Sequence, residues 1–219
     1  LDAAIDTHTH ADHRTASFDL KELTGAKVIM HSKAPAPHVN VHVDDGDEIP
    51  VGDLRLKVLY TPGHTPGSCS FVREADRTVI AGDCVLKRIT PNPILSPDPV
   101  DPTKRFASLA EYLVSLARLR TFAPTLVHGG HGEPVHDFEE LFNRYFRAIR
   151  ERQAEVIRLL PKTGATAWEI ARQMFPETDD VHRFLSVSEA VAHLDLAHSE
   201  RKIEVEFGDG KEVYRRIAG

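Results

Sequence analysis

A chain of 219 residues has room for one sizeable hydrophobic core, or for a catalytic domain with a small appendage. Hydrophobic residues make up 41% of it and charged residues 27%, and a formal net charge of −6 argues against non-specific nucleic-acid binding, leaving room only for a local patch. Two cysteines, Cys69 and Cys84, exclude a disulfide framework, and no apolar run has membrane-span length or opens the chain as a signal segment, so no membrane contact and a cytoplasmic setting are expected.

The chain opens on a short apolar run, Leu1 to Ile5, followed directly by His8-Thr9-His10-Ala11-Asp12-His13. Phe18 to Thr24 reads as a short helix stopped by Gly25, and Ala26 to Met30 as a strand. After Ala34-Pro35-Ala36-Pro37, the residues Val39, Val41 and Val43 alternate with polar ones until Asp44-Asp45-Gly46-Asp47 turns the chain. A second turn is expected at Val51-Gly52-Asp53, and Leu54, Leu56, Val58 and Tyr60 then keep the strict alternation of a half-buried strand.

That strand runs into Thr61-Pro62-Gly63-His64-Thr65-Pro66-Gly67-Ser68, a rigid loop presenting one histidine. Thr78 to Ala81 is another strand, ending in Gly82-Asp83. The proline-rich segment from Ile89 to Pro102 is expected to be an irregular surface or active-site loop. Leucines 109, 113, 116 and 119 place a helix over about 104 to 122, and Leu126-Val127 is a short strand ending in His128-Gly129-Gly130-His131-Gly132.

Composition shifts from there on. Asp137 with Glu140, Thr166 with Glu169 and Ser186 with Glu189 each look like the start of a helix, the three ending near Leu160, Phe175 and Ser199. Alternating Ile203, Val205 and Phe207, the turn Gly208-Asp209-Gly210 and the run Val213 to Ile217 predict a hairpin. Helices followed by a hairpin make a small winged-helix unit, so the expected domains are a catalytic one over 1–150 and a helical, winged-helix one over 151–219.

Four features stand in chain order: the His8-x-His10-x-Asp12-His13 run, His64, Asp83 and His131. Each follows a strand-like run, and loops at strand ends are where a sheet converges side chains from distant parts of a sequence. Imidazole and carboxylate are the donors that a borderline-soft divalent ion prefers. One such histidine is most often a surface or core residue, whereas four ordered elements favour a metal site. His31, His38 and His42 fall outside the motifs and default to surface or loop roles. Cys84 is expected to be a small buried filler, and Lys87 and Arg88 to sit on a solvated loop, meeting an anionic substrate being the alternative.

This motif set resembles the metallo-β-lactamase superfamily, whose pattern is HxHxDH, a downstream His, a Gly-Asp pair and a last His, over residues 1 to about 136. The resemblance implies an α/β fold of αββα sandwich type. It assigns His8, His10 and His64 to one metal and Asp12, His13 and His131 to a second, with Asp83 bridging. His128 is a weaker candidate than His131 for the last ligand, because the family's last histidine stands between glycines. Two zinc ions per chain are implied, iron or manganese being the alternatives. Two such ions with Asp12, Asp83 and a bridging hydroxide would leave a small net positive charge, suited to an anionic substrate or a developing oxyanion. Asp12 would also orient that hydroxide and is the candidate catalytic residue.

Within the superfamily, the tail resembles β-lactamase-like protein 2, some relatives of which cleave single-stranded RNA, and the His64 loop resembles glyoxalase II, which hydrolyses thioesters. His8 to Ser17 and Val43 to Ile49 resemble persulfide dioxygenases, whose single iron would sit on His8, His64 and Asp83. The third tail helix bears Glu189 and Asp195 without lysine or arginine over 187–199, the reverse of a DNA-reading helix, so the tail is expected to pack on the catalytic domain or form a homodimer contact. The reading is a dinuclear zinc hydrolase of a small ester, thioester or lactone. Family members place several strands before HxHxDH, so the sheet is expected to be N-terminally incomplete with an open edge. A fragment or a binding module without activity is the non-enzyme alternative.

Overall fold

The computed structural model describes residues 1–9, 15–179 and 182–217. Two sheets stack face to face. The smaller is parallel, in the order β1 (Ala3–Ile5), β2 (Lys27–His31), β3 (Val41–Val43). The larger has five strands in sequence order: β4 (Glu48–Val51), β5 (Leu54–Tyr60), β6 (Cys69–Arg73), β7 (Thr78–Gly82) and β8 (Leu126–Gly129). All its neighbours are antiparallel except β7 and β8, which run parallel.

Strand alternation distributes side chains between three layers of core. Ile29, Val43, Ile49, Val58, Cys69 and Phe71 meet between the two sheets. On the far side of the larger sheet, Val72, Val79, Ala81 and Val127 pack against α2 (Ser108–Phe122) and α3 (Phe138–Leu159). Val28 and Met30 face the other side of the smaller sheet, against which α1 (Ser17–Thr24) lies. The result is an αββα sandwich.

Past the sandwich, α3, α4 (Ala167–Met174), α5 (Arg183–Ser199) and the hairpin of β9 (Ile203–Gly208) and β10 (Lys211–Arg216) enclose a second core, including Leu160, Ile170, Leu194, Ile203 and Tyr214. The helix α3 serves both cores: its Leu141, Tyr145 and Ile149 belong to the first and Val156 to the second. It crosses residue 150 without a break. The unit is bound to the sandwich by Arg105, which donates to Asp195 of α5 and to Glu212 of β10 at 2.8 to 3.1 Å. No helix among the described residues is long and apolar enough to cross a membrane.

Several expectations from sequence need correcting. The run Cys69–Arg73 is a central strand that carries no alternation signal, because its first four residues are buried on both faces. Glu48–Val51 pairs with β5 as a strand, so the turn at Gly52 connects a hairpin. Residues 104–107 are not helical: Arg105 bridges back to Pro97, and α2 starts at Ser108. The third tail helix begins at Arg183, not at Ser186, which lies buried inside it with its hydroxyl donating to Thr178 Oγ1. The helix has no side-chain cap: its N-cap is His182, whose own N–H donates to the Asp179 carboxylate at 2.9 Å. Thr166 and Glu169 form the full reciprocal capping box.

Candidate metal centre

Three loop systems meet at one edge of the sandwich. The loop after β1 carries His8, which is buried with its side chain only 1% exposed. It is held in place by the backbone, since Cys69 N–H donates to the Thr7 carbonyl at 2.9 Å. The second loop is Thr61 to Ser68. Its own hydroxyls replace solvent as partners: Thr65 N–H donates to Ser68 Oγ at 3.1 Å, and Thr61 Oγ1 shares a 2.8 Å hydrogen bond with Ser70. Ser115 of α2 donates to the Pro62 carbonyl and Tyr60 to the Pro66 carbonyl, both at 2.7 Å. His64 is thereby presented from a loop tied down on both flanks.

The third system is the pair of turns after β7 and β8. Gly130 N–H donates to the Gly82 carbonyl at 2.9 Å, which fastens the two turns side by side. Glycine is required at both positions. Gly82 has a left-handed φ of 50° and a side chain there would collide with Thr7, while a methyl group on Gly130 would overlap Asp83 Oδ1. Asp83 and His131 therefore leave these turns in a fixed relation.

The outcome is three imidazoles around one carboxylate oxygen. Asp83 Oδ2 lies 3.9 Å from His8 Nε2, 3.7 Å from His64 Nε2 and 3.5 Å from His131 Nε2. These separations are too long for hydrogen bonds. They approach the edge of a coordination tetrahedron, about 3.4 Å for donors roughly 2.1 Å from a zinc ion. One donor atom from each of His8, His64 and Asp83 fall within 4.8 Å of one another. The remaining oxygen, Asp83 Oδ1, is buried without a hydrogen-bond partner among the described residues. A buried carboxylate oxygen left this way is costly unless a cation claims it. The residues present fit a divalent metal.

The rings are also oriented for that role. His64 Nδ1 lies 2.8 Å from the Asn92 carbonyl, which can only accept, so Nδ1 carries the proton and Nε2 keeps its lone pair toward Asp83. His8 Nδ1 lies 2.9 Å from Thr7 Oγ1, leaving its Nε2 on the same side. His8 and Asp83 are almost fully buried and His64 is 13% exposed, but the His131 side chain is 51% exposed and forms the solvent-facing side of the cluster. His10, Asp12 and His13 lie outside the described residues.

Other candidates resolve differently. His128 projects from β8, exposed, and makes no ion pair with Asp83 among the described residues; His131 does. Cys84 is fully buried in the core between sheet and helices, where burial pushes its thiol up to about 12, consistent with a filler role. His31 is not a surface or loop residue: it ends β2, buried, stacked on Tyr60 at 4.2 Å, and burial pulls its pKa down. Lys87 is exposed and paired with Glu133 at 2.7 Å. The sequence reading missed Asn92, which accepts the His64 Nδ1 hydrogen bond with its backbone carbonyl, a group that carries no residue signature.

A cleft of about 340 Å³ opens beside the centre. It is lined by Thr9, Thr65 and Pro66, next in sequence to the metal-type loops, and by Ile94, Pro97 and Pro99 of the proline-rich loop. Its charged lining residues are Lys33 and Asp98.

An αββα sandwich with nitrogen and oxygen donors converging at one sheet edge defines a class of metal-site proteins. The chain belongs to the metallo-beta-lactamase superfamily, whose family model matches residues 1–131. The probable metallo-hydrolase YqjP of Bacillus subtilis is 34% identical over 157 residues, 72% of this chain and 49% of that protein. Hydroxyacylglutathione hydrolase of Maricaulis maris is 39% identical over 82 residues, covering 36% of this chain and 32% of its own. Human persulfide dioxygenase is 36% identical over 85 residues, covering 39% and 34%. The chain thus spans half the length or less of these curated relatives. Among solved structures, a metallo-beta-lactamase family protein from Thermus thermophilus superposes with a TM-score of 0.84 at 25% identity, over 99% of this chain and 80% of the other. That likeness takes in the C-terminal helices and hairpin as well as the sandwich.

Proposed function

We propose that this chain is a metal-dependent hydrolase acting on a small ester, thioester or lactone, with two zinc ions at the sheet edge. The observation that carries the reading is the convergence of His8, His64 and His131 Nε2 atoms within 3.9 Å of Asp83 Oδ2. Bound there, the ions would supply a hydroxide nucleophile at neutral pH and polarise the substrate oxygen. His8, His10 and His64 would hold the first ion, Asp12, His13 and His131 the second, and Asp83 both. Asp12 would orient the nucleophile by accepting its hydrogen bond. The buried donors exclude bulk water from one side of the centre, and the exposed His131 side leaves the approach for substrate. The cleft walled by Ile94 and the prolines would take the substrate's apolar part. The relatives named metallo-hydrolase and hydroxyacylglutathione hydrolase support this reading. We also propose the division into a catalytic domain over 1–150 and a winged-helix unit over 151–219, and a cytoplasmic setting, which suits two free, buried thiols.

A second reading has its own observation. The most enclosed donors, His8, His64 and Asp83, form by themselves a two-histidine, one-carboxylate set, the arrangement of non-haem iron oxygenases. Elemental analysis of the purified protein, followed by assays on thioesters, lactones, single-stranded RNA and glutathione persulfide, separates the two. Two zinc ions per chain with hydrolysis is the expected result. One iron per chain with oxygen consumption on the persulfide would overturn it in favour of the dioxygenase.

A further inference from the structure

The proline-rich loop does more than wall the cleft. Asn92 stands between Pro91 and Pro93, and a residue ahead of proline is confined to extended backbone. Its carbonyl accepts from His64 Nδ1 at 2.8 Å, and two residues on, Ile94 N–H donates to the His64 carbonyl at 3.0 Å. This short stretch therefore grips both the ring and the backbone of His64.

The side chain of Asn92 points the other way, into the C-terminal unit. Its amide donates to the Leu185 carbonyl at 3.0 Å and to Glu189 Oε2 at 3.3 Å, both on α5. Leu95 N–H adds a bond to Ser188 Oγ at 3.3 Å. Glu189 is itself fixed from behind, its Oε1 lying 3.5 Å from His193 Nε2. The buried His193 is locked in turn to Gln153 of α3, with 2.7 Å between His193 Nδ1 and Gln153 Oε1 and 3.1 Å from Gln153 Nε2 to the His193 carbonyl. An unbroken series of polar contacts thus runs from α3 through α5 to the ring of His64.

We propose that Asn92 is a positioning residue through which α5 sets the ring of His64 for metal binding, so that the C-terminal unit is part of the scaffold of the metal centre. The inference rests on the reading of His64 as a metal ligand. A merely structural role, stitching a loop to a helix, would affect melting temperature alone. A positioning role changes how the metal is held, because the group that orients a ligating histidine typically contributes 10- to 100-fold in metal affinity, by order of magnitude about one to two powers of ten.

The test uses the full chain and two metals. Cobalt(II) and zinc affinities are measured by chelator competition, and the visible absorption of the cobalt form reports the ligand field. Asn92→Ala keeps the carbonyl that accepts from His64 but cuts its tie to α5. It is expected to lower cobalt affinity by up to about 10-fold, the low end of the range for losing an orienting partner, and to shift the cobalt bands. Glu189→Ala leaves the loop sequence untouched, guards against a folding defect in the first variant, and is expected to shift the bands in the same direction. Glu189→Gln keeps an acceptor for the Asn92 amide and is expected to restore wild-type bands. Wild-type affinity and spectrum in both Asn92→Ala and Glu189→Ala would overturn this inference while leaving the metal reading intact. Unchanged metal binding in His64→Ala would instead overturn the reading of His64 as a ligand, and this inference with it.

Discussion

The two cores of this molecule handle polarity in opposite ways. The sandwich buries a group of polar side chains at one sheet edge, among them His8, Thr61, Thr65, Ser68, Ser70 and Asp83, and gives most of them partners within its own loops. The C-terminal core is built on Leu160, Ile170, Leu194 and Ile203, with Tyr214 sending its hydroxyl to Glu212 at 2.6 Å. Gln153, Ser188 and His193, buried polar side chains of its helices, lie outside that cluster, paired with one another or with the proline-rich loop. The difference teaches where chemistry and where stability reside. Buried carboxylate and imidazole are tolerable only where a cation or hydrogen bonds offset their desolvation, a demand that Leu160, Ile170, Leu194 and Ile203 do not make.

Substitutions can break or sharpen this contrast. Removing the central carboxylate by Asp83→Ala is expected to abolish stoichiometric metal binding and reduce hydrolysis by more than about 100-fold, beyond the effect of losing an outer partner; elemental analysis and the substrate panel read both. Wild-type metal content in that variant would place the metal elsewhere. In the other core, Leu194→Ala should cost about 2–5 kcal/mol in denaturant unfolding while the folded protein keeps its metal content. Loss of metal from folded Leu194→Ala would show that the apolar cluster of the C-terminal unit, and not only the Asn92 contacts with α5, supports the centre.

Smaller effects probe the junctions. Gly130→Ala pushes a methyl group into Asp83 Oδ1, and a drop in metal affinity of about 10-fold, with little change in the melting of metal-free protein, is expected. At the interface, Arg105→Gln removes the paired bonds to Asp195 and Glu212 and should cost about 1 kcal/mol near neutral pH. Burial raises the Glu212 carboxyl, but the Tyr214 hydroxyl and Arg105 outweigh it and leave it below the ordinary range. A carboxylate depressed in this way stabilises the fold above its unfolded value, about pH 4.3, and the contribution fades as pH falls through the lower folded value. The gap between wild type and Arg105→Gln should therefore narrow on acidification below about pH 4. A gap independent of pH would assign the effect to lost packing.

Much of the site was legible because each metal-type residue lies in a loop that announces itself. Pro62, Gly63, Pro66 and Gly67 frame His64, and glycines flank His131, so rigidity and exposure are written in residue types that have few other uses at strand ends. The alternation of β5 was equally plain. What escaped notice lacked polarity contrast. The strand β6 gives Phe71 to one core and Val72 to the other, and a strand packed on both faces shows no period of two. His31 falls outside the metal motifs and so defaults to a surface or loop role, yet it is the last residue of β2 and is buried there. Ser186 and Glu189 match a capping pattern but occupy the inside of a helix that starts three residues earlier, at Arg183. The bond from His64 to the Asn92 carbonyl belongs to backbone geometry alone, and no residue type encodes it.

The reach of Asn92 has a consequence for how the protein is made. Its acceptors Leu185 and Glu189 lie 93 and 97 residues further along the chain. A ribosome releases the His64 and Asp83 loops well before it releases α5, and domains generally fold in the order of synthesis. The nascent sandwich can therefore collapse early while the ring of His64 still lacks its brace. With Asn92 as the brace of His64, capture of metal in final geometry would follow the release of α5 from the ribosome.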